Sequence, residues 1–123
     1  MSSEPVIFTD TMAWRDLRGL PGAKGYEFKE LVCDEASYTS AYSCELVRLD
    51  PSDHSVPHIE QWNHTLIFLE GAGEITIKGR TWPVRAGTVA KVKAGDIHAL
   101  VNPGPAPMLL LAIYDPPRPR ERD

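Results

Sequence analysis

The sequence predicts an all-β fold of the barrel or sandwich kind, and two observations carry that prediction. From residue 25 onward, short runs rich in Val, Ile, Leu, Thr and Tyr alternate with clusters of Gly, Pro, Asp and Asn, which is typical of strands joined by tight turns. Helical periodicity is scarce, and about nine strands with brief connections favour a barrel or a double-layered sheet. The predicted strands are residues 26–33, 41–49, 55–60, 64–69, 73–77, 81–84, 88–92, 98–101 and 107–114.

Three segments lie outside these strands. Residues 10–20 could form one short helix, capped by Thr9 or Asp10 and ended near Gly19. The N-terminal run PVIFT, residues 5–9, has the composition of an edge or swapped strand. The end of the chain is rich in proline and charge, so it is expected to be extended or frayed.

Length and composition limit the classes of protein that the chain can be. Its 123 residues fit one domain spanning 1–123, with a core at about 4–117 and a flexible tail at 118–123. A net charge of -4 without a basic patch disfavours a nucleic-acid partner. No apolar run approaches the length of a membrane span, so a cytoplasmic protein is expected. Cys33 and Cys44 lack CxxC spacing and predict two reduced, half-buried thiols.

Four residues could hold one metal ion. His58 and Glu60 are two apart, so in an extended strand both side chains face the same way. His64 opens the next strand, with Leu66 and Phe68 continuing its face. Three imidazoles and one carboxylate, completed by His98 from a distant strand, suit a divalent transition metal such as Fe, Mn, Ni or Zn. For Glu60 and His64 the alternative is a hydrogen bond to a ligand rather than direct ligation.

The same residues carry a resemblance to the cupin superfamily. The first cupin motif, G-x5-H-x-H-x3,4-E-x6-G, and the second, G-x5-P-x-G-x2-H-x3-N, are matched in spacing by two blocks of the chain. The second histidine of the family pattern is a glutamate here and the family glutamate is a histidine, so the ligand set is kept with its order permuted. Lys93 stands where the second motif has proline, and Ser52 stands where the first motif opens with glycine. The matching positions are His58, Glu60, His64 and Gly71 in the first motif, and Gly87, Gly95, His98 and Asn102 in the second.

The resemblance implies a jelly-roll barrel with one divalent metal per chain, a small-molecule substrate and a homodimer. An octahedral ion held by four protein ligands keeps two positions for substrate or dioxygen. We therefore expect a metal-dependent enzyme acting on a small oxygenated or carboxylated metabolite, first as an Fe(II) dioxygenase. The alternatives are a Zn-, Mn- or Ni-dependent isomerase or lyase, and a small-ligand-binding barrel without catalysis.

Three further side chains are candidates for the chemistry around the ion. Arg48 could hold a substrate carboxylate through two hydrogen bonds. Tyr42 or Tyr114 could take part in proton transfer. Each of the three also has an ordinary structural role open to it.

Overall fold

The computed structural model describes residues 4–16, 26–33, 37–52, 54 and 57–120. Within them it contains one short 3-10 helix, Thr9–Thr11, and nine β-strands. No helix in this part of the chain is long and apolar enough to cross a bilayer. The strands are β1 Arg15–Asp16, β2 Tyr26–Val32, β3 Ser43–Leu49, β4 Asn63–Glu70, β5 Ala72–Ile77, β6 Arg80–Arg85, β7 Val89–Val92, β8 His98–Val101 and β9 Met108–Asp115.

The strands form two antiparallel sheets, and the all-β prediction is confirmed. One sheet has the order β1-β2-β3-β9-β4-β7, and the other has the order β6-β5-β8. The last strand, β9, lies between β3 and β4, so strands far apart in sequence become neighbours. Two packed antiparallel sheets with such crossing connections make a jelly roll.

The core lies between the two sheets because the central strands turn alternate side chains inward. In β9 the buried residues are Met108, Leu110, Ala112 and Tyr114, with half-buried residues between them. In β4 the buried positions are His64, Leu66 and Phe68, which confirms the face predicted for this strand. The polar member of that row, His64, lies at one end of an otherwise apolar face. A polar site therefore lies at one end of the core.

The turn between β4 and β5 depends on a glycine. Gly71 has φ +80°, a region that side chains disfavour. A Cβ atom built there would lie 2.5 Å from the carbonyl oxygen of Pro107. The turn of β4 into β5 can pass this close to the segment before β9 because residue 71 has no side chain.

The N-terminal segment differs from its prediction. The helix expected over residues 10–20 is wrong for residues 10–16: one 3-10 turn ends at Thr11, and β1 then pairs with β2 through Arg15 and Asp16. Pairing with β2 supplies the backbone hydrogen bonds that a helix would otherwise provide. Residues 17–20 lie outside the described part of the chain.

The predicted strand at 55–60 is absent from the described residues, and residues 5–8 form no edge strand within this part of the chain. Residues 57–60 form no ladder, and the described part of 55–60 contributes a single bridge between His58 and His98. Residues 5–8 of the PVIFT run pair with no strand of the described chain, and Val6 is 85% exposed. The runs had the right composition, but composition alone does not supply a neighbouring strand.

Candidate metal centre

Two sheets and one irregular segment bring the candidate ligands together. His64 faces inward from β4 of the first sheet, and His98 opens β8 of the second. His58 lies on no strand, but its backbone N–H donates to the His98 carbonyl at 3.0 Å and the His98 N–H donates back at 3.0 Å. This reciprocal pair fixes the two histidines side by side.

A glycine turn fixes the carboxylate next to them. The backbone N–H of Gly95 donates to the carbonyl of Glu60 at 2.9 Å, and Gly95 has φ +89° in the turn that precedes His98. The second block of the sequence motif therefore positions a residue of the first block. The spacing of Gly95 and His98 places Glu60 and His98 at the same end of the barrel.

The side chains of these residues converge. Potential ligand atoms of His58, Glu60 and His98 all lie within 4.8 Å of one another. His58 Nε2 is 2.8 Å from Glu60 Oε1, and His64 Nε2 is 3.3 Å from Glu60 Oε2. The His98 ring centre lies 4.3 Å from that of His58 and 5.1 Å from that of His64. The structure therefore brings the four predicted residues to one place.

His64 is incompletely satisfied. Its side chain is 4% exposed, and neither ring nitrogen has a hydrogen-bond partner within the described part of the chain. The 3.3 Å approach to Glu60 lacks hydrogen-bond geometry, and the Tyr114 ring meets the imidazole edge-on at 4.6 Å. A buried polar group without a partner is costly. A metal ion bound by an imidazole nitrogen would remove that cost.

His98 is oriented as a metal-ligating histidine usually is. Its Nδ1 lies 3.0 Å from the backbone oxygen of Asp96, so Nδ1–H donates there and Nε2 keeps its lone pair. Burial lowers the pKa of His98, and the nearby His58 and His64 lower it further against the opposing effect of the Asp96 carbonyl. The neutral ring that results is the form that binds metals.

Glu60 is held as a carboxylate. Burial alone would raise its pKa, but contacts with His58 and His64 and the positive charge of Arg118 outweigh burial and hold the pKa well below its ordinary value. The donor set is thus three imidazoles and one carboxylate, and it fits a divalent transition metal. Bound there, such an ion would supply Lewis-acid chemistry to a small molecule in the adjoining pocket.

A small pocket that opens to solvent adjoins the centre, with a cavity volume of about 20 Å³. Its wall combines the four candidate ligands with apolar groups, two phenols and one guanidinium, a mixture typical of small-molecule sites. Burial raises the pKa of both phenols, Tyr26 and Tyr114, so both hydroxyls stay protonated and can donate hydrogen bonds. The lining residues are Tyr26, His58, Glu60, His64, Leu66, His98, Leu100, Ala112, Tyr114 and Arg118.

Of the three further candidates, the structure brings Tyr114 to the pocket and not the other two. Arg48 is paired with Glu27, and its guanidinium lies 4.5 Å from the Trp14 ring. Tyr42 contacts Tyr38, whose hydroxyl is the main cause of the raised pKa of Tyr42. Both side chains therefore have partners elsewhere on the protein.

The tail supplies a pocket residue that the sequence analysis missed. Arg118 Nη1 forms an ion pair with Glu60 Oε2, and its guanidinium carbon lies 4.8 Å from the Trp62 ring centre. Two residues on, Arg120 forms an ion pair with Glu45. Residues 118–120, predicted as part of a flexible tail, thus contact the folded domain through the buried carboxylates that hold both arginines. Residues 121–123 lie outside the described chain.

Two other residues of the sequence motifs and turns have structural roles. Asn102, at the end of the second motif, is fully buried and donates to the carbonyls of Leu49 and Ala106. His54 is exposed and bridges to Val101 through its backbone. Neither lines the pocket. The two cysteines are not joined by a disulfide, and both are buried rather than half-buried as predicted.

The fold and the centre together define a jelly-roll protein with a His-Glu-His cluster that could hold a metal. Residues 45–114, more than half of the chain, match the sequence profile of the cupin domain. This protein therefore belongs to the cupin family. No curated protein matches the chain significantly.

Solved structures agree on the fold. The polyketide cyclase RemF from Streptomyces resistomycificus is similar with a TM-score of 0.83 at 21% identity, over 95% of this chain and 82% of that one. A predicted oxalate decarboxylase from Thermotoga maritima gives 0.79 at 24% identity, over 89% and 97%. A cupin sugar phosphate isomerase from Silicibacter pomeroyi gives 0.75 at 24% identity, over 90% and 75%. At such identities the likeness concerns the fold alone.

Proposed function

We propose that this protein is a metal-dependent enzyme acting on a small oxygenated or carboxylated metabolite. One divalent ion per chain would be held by His58, Glu60, His64 and His98. The observation that carries the proposal is the convergence of His58, Glu60 and His98 beside His64, whose buried ring nitrogens have no hydrogen-bond partner in the described chain. The wall of the adjoining pocket combines apolar, phenolic and charged side chains, a mixture typical of small-molecule sites.

We place redox-neutral chemistry first among the possible reactions. A cyclase, a predicted decarboxylase and an isomerase are among the proteins of similar fold, and each of these names denotes a rearrangement or cleavage of a small molecule. In this version the ion acts as a Lewis acid on a substrate oxygen. Tyr26 and Tyr114 would donate hydrogen bonds to the substrate, and Tyr114 is our candidate for proton transfer.

An Fe(II) dioxygenase is the second candidate. Its support is the donor set itself, because three imidazoles and one carboxylate leave positions at an octahedral iron for a substrate and dioxygen. The two versions differ in whether turnover requires dioxygen, which is simple to measure. Turnover that persists in the strict absence of oxygen would remove the dioxygenase, and strictly oxygen-dependent turnover would remove the redox-neutral version.

A barrel that binds a small ligand without catalysis is the third candidate. One observation favours it: apart from the candidate ligands, the described residues lining the pocket offer two phenols and one guanidinium, and no carboxylate or imidazole to serve as a base. Tight ligand binding with no turnover under Fe, Mn, Ni or Zn would support this reading.

The first experiment measures metal content by elemental analysis after purification without added metal. Wild type is compared with His98→Ala and Glu60→Gln, and His54→Ala is the matched control because His54 is exposed and outside the cluster. We expect near-stoichiometric metal in wild type and the control, with loss in the other two. Wild type that holds no metal even after soaking would remove the enzyme proposal.

We further propose that the protein is a cytoplasmic homodimer. The support for the dimer is the exposed apolar run at the N-terminus. Val6 and Phe8 are 85% and 68% exposed there, and no strand of the described chain covers them. Light scattering after gel filtration measures the mass directly. A monomer for wild type would remove this part of the proposal, and a dimer that dissociates in Val6→Asp with Phe8→Asp would support it.

A further inference from the structure

We propose that Arg118 is the substrate-binding residue of this pocket and that it selects small carboxylates; this inference rests on the metal-dependent function proposed above. Arg118 reaches the pocket from the tail after β9, and its side chain is 16% exposed. Its Nη1 pairs with Glu60 Oε2. Neither Nη2 nor Nε has an acceptor in the described part of the chain. Part of the planar guanidinium thus remains available to an incoming carboxylate.

The charge of the pocket points to an anion. Among its lining residues in the described chain, Glu60 is the one carboxylate and Arg118 the one guanidinium, and imidazoles that bind a metal are neutral. In the metal-free site the two charges cancel. A divalent ion held by the same residues would leave an excess of positive charge facing the pocket. A small molecule carrying a carboxylate would neutralise part of that excess, whereas a neutral molecule would not.

The guanidinium is held in place, which favours a binding role. Its carbon lies 4.8 Å from the Trp62 ring centre and 5.3 Å from the Tyr114 ring centre, and cations are attracted to the faces of such rings. The backbone N–H of Arg118 donates to Ser43 Oγ at 2.9 Å. Two residues on, the ion pair of Arg120 with Glu45 anchors the tail. Arg118 is thus supported on both sides, and little side-chain freedom is lost when it binds an anion.

The test compares two ligands of nearly the same shape on the zinc-loaded protein. Glycolate is anionic and glycolamide is neutral, and dissociation constants come from chemical-shift titrations of nitrogen-labelled protein. Wild type should prefer glycolate by about tenfold or more, since hydrogen bonds to charged groups are worth about 1.5 to 3 kcal/mol. Arg118→Gln should have a clearly smaller preference, of which the part due to the ion remains, and Arg118→Lys should keep more of it than Arg118→Gln. Arg80→Gln is the matched control, because Arg80 also lies over a tryptophan, Trp82, outside the pocket.

The outcomes separate this inference from the function on which it rests. Zinc-loaded Arg118→Gln that retains the wild-type preference for glycolate would overturn the role of Arg118 and leave the metal-dependent function standing. Wild type that binds glycolate no more tightly than glycolamide would overturn the inference. This comparison needs no variant, so it remains valid if Arg118→Gln does not fold. Wild type that binds no zinc would remove both the function and the inference.

Discussion

Arg120 and Glu45 form a bidentate ion pair, with N–O distances of 2.5 and 2.7 Å, across 75 residues of sequence. Both side chains are almost wholly buried, at 8% and 2% exposure, and the Phe28 ring centre lies 4.6 Å from the guanidinium carbon. The carboxylate raises the pKa of Arg120 above its ordinary value against the effect of burial. The pair fastens the tail to β3, two residues after Arg118, which contacts Glu60 of the candidate metal centre.

Removal of one partner of this ion pair should destabilise the protein strongly. Arg120→Met leaves the Glu45 carboxylate buried without its cation, which typically costs about 3 kcal/mol or more. Glu45→Leu combined with Arg120→Met removes both charges and should recover most of that loss. The free energy of unfolding in urea is the measurement. Arg80→Gln, an exposed arginine, should change it by less than about 0.5 kcal/mol, and an Arg120→Met as stable as this control would contradict the prediction.

The unsatisfied imidazole of His64 predicts opposite effects of one substitution with and without metal. His64→Leu removes two buried nitrogens that lack partners, so the metal-free variant should gain roughly 1 kcal/mol of stability. In wild type, zinc at a hundredfold excess over its dissociation constant should add about 2.7 kcal/mol, and the variant should lose most of this increment. Thermal unfolding with and without zinc measures both.

A variant that is less stable without metal and keeps the full zinc increment would show that His64 is a packed core residue and not a ligand. His54→Ala is the control, since His54 is exposed and lies outside the cluster. Its zinc increment should equal that of wild type.

Gly71 and Gly79 offer a matched pair for the cost of close backbone approach. Both have positive φ, +80° and +81°, so an alanine in either turn should cost about 1 kcal/mol from the backbone alone. A Cβ at Gly71 would meet the Pro107 oxygen at 2.5 Å, whereas a Cβ at Gly79 meets nothing within 4 Å. Gly71→Ala should therefore be the more destabilised of the two, by at least about 2 kcal/mol in urea unfolding. Equal losses would mean that the Pro107 segment moves aside without cost.

The strands could be predicted because their signals are local. β4 and β9 alternate buried and half-buried residues along the sequence. Gly71 marks the turn after β4, and Gly95 lies in the turn before β8. His58, Glu60, His64 and His98 could be found because their spacing follows a known family pattern. Local signals failed at the N-terminus, where residues 10–16 have a helix-compatible pattern but pair with β2 instead.

Arg118 could not be found in the same way, because its role depends on a contact 58 residues away. Composition indicated a charged, proline-rich tail, which is usually solvated. The sequence did contain one signal, because Arg118 and Arg120 are two residues apart. In an extended segment, side chains at this spacing lie on the same side. That spacing matters only when buried carboxylates, here Glu60 and Glu45, face it, and the burial of those carboxylates depends on the tertiary fold.

Cys44 predicts a fall in stability at alkaline pH. Burial, with the added effect of the Glu45 charge, raises the pKa of Cys44 from 9.0 to about 11. Below the unfolded pKa the thiol is protonated in both states, and its contribution to stability is fully present. Between pH 9 and 11 the unfolded chain loses the proton while the folded chain keeps it, so stability falls as pH rises, by up to about 2 kcal/mol.

Cys44→Ala should lack this part of the alkaline loss. The free energy of unfolding is measured in urea at pH 8 and pH 10.5 for wild type, for Cys44→Ala, and for Val47→Ala as a control that removes a buried apolar side chain from the same strand. Titration of the buried tyrosines affects all three proteins alike, so it cancels in the comparison. Wild type and Val47→Ala should lose the same amount, and Cys44→Ala should lose less. An equal loss in Cys44→Ala would show that the thiol does not keep its proton in the folded protein.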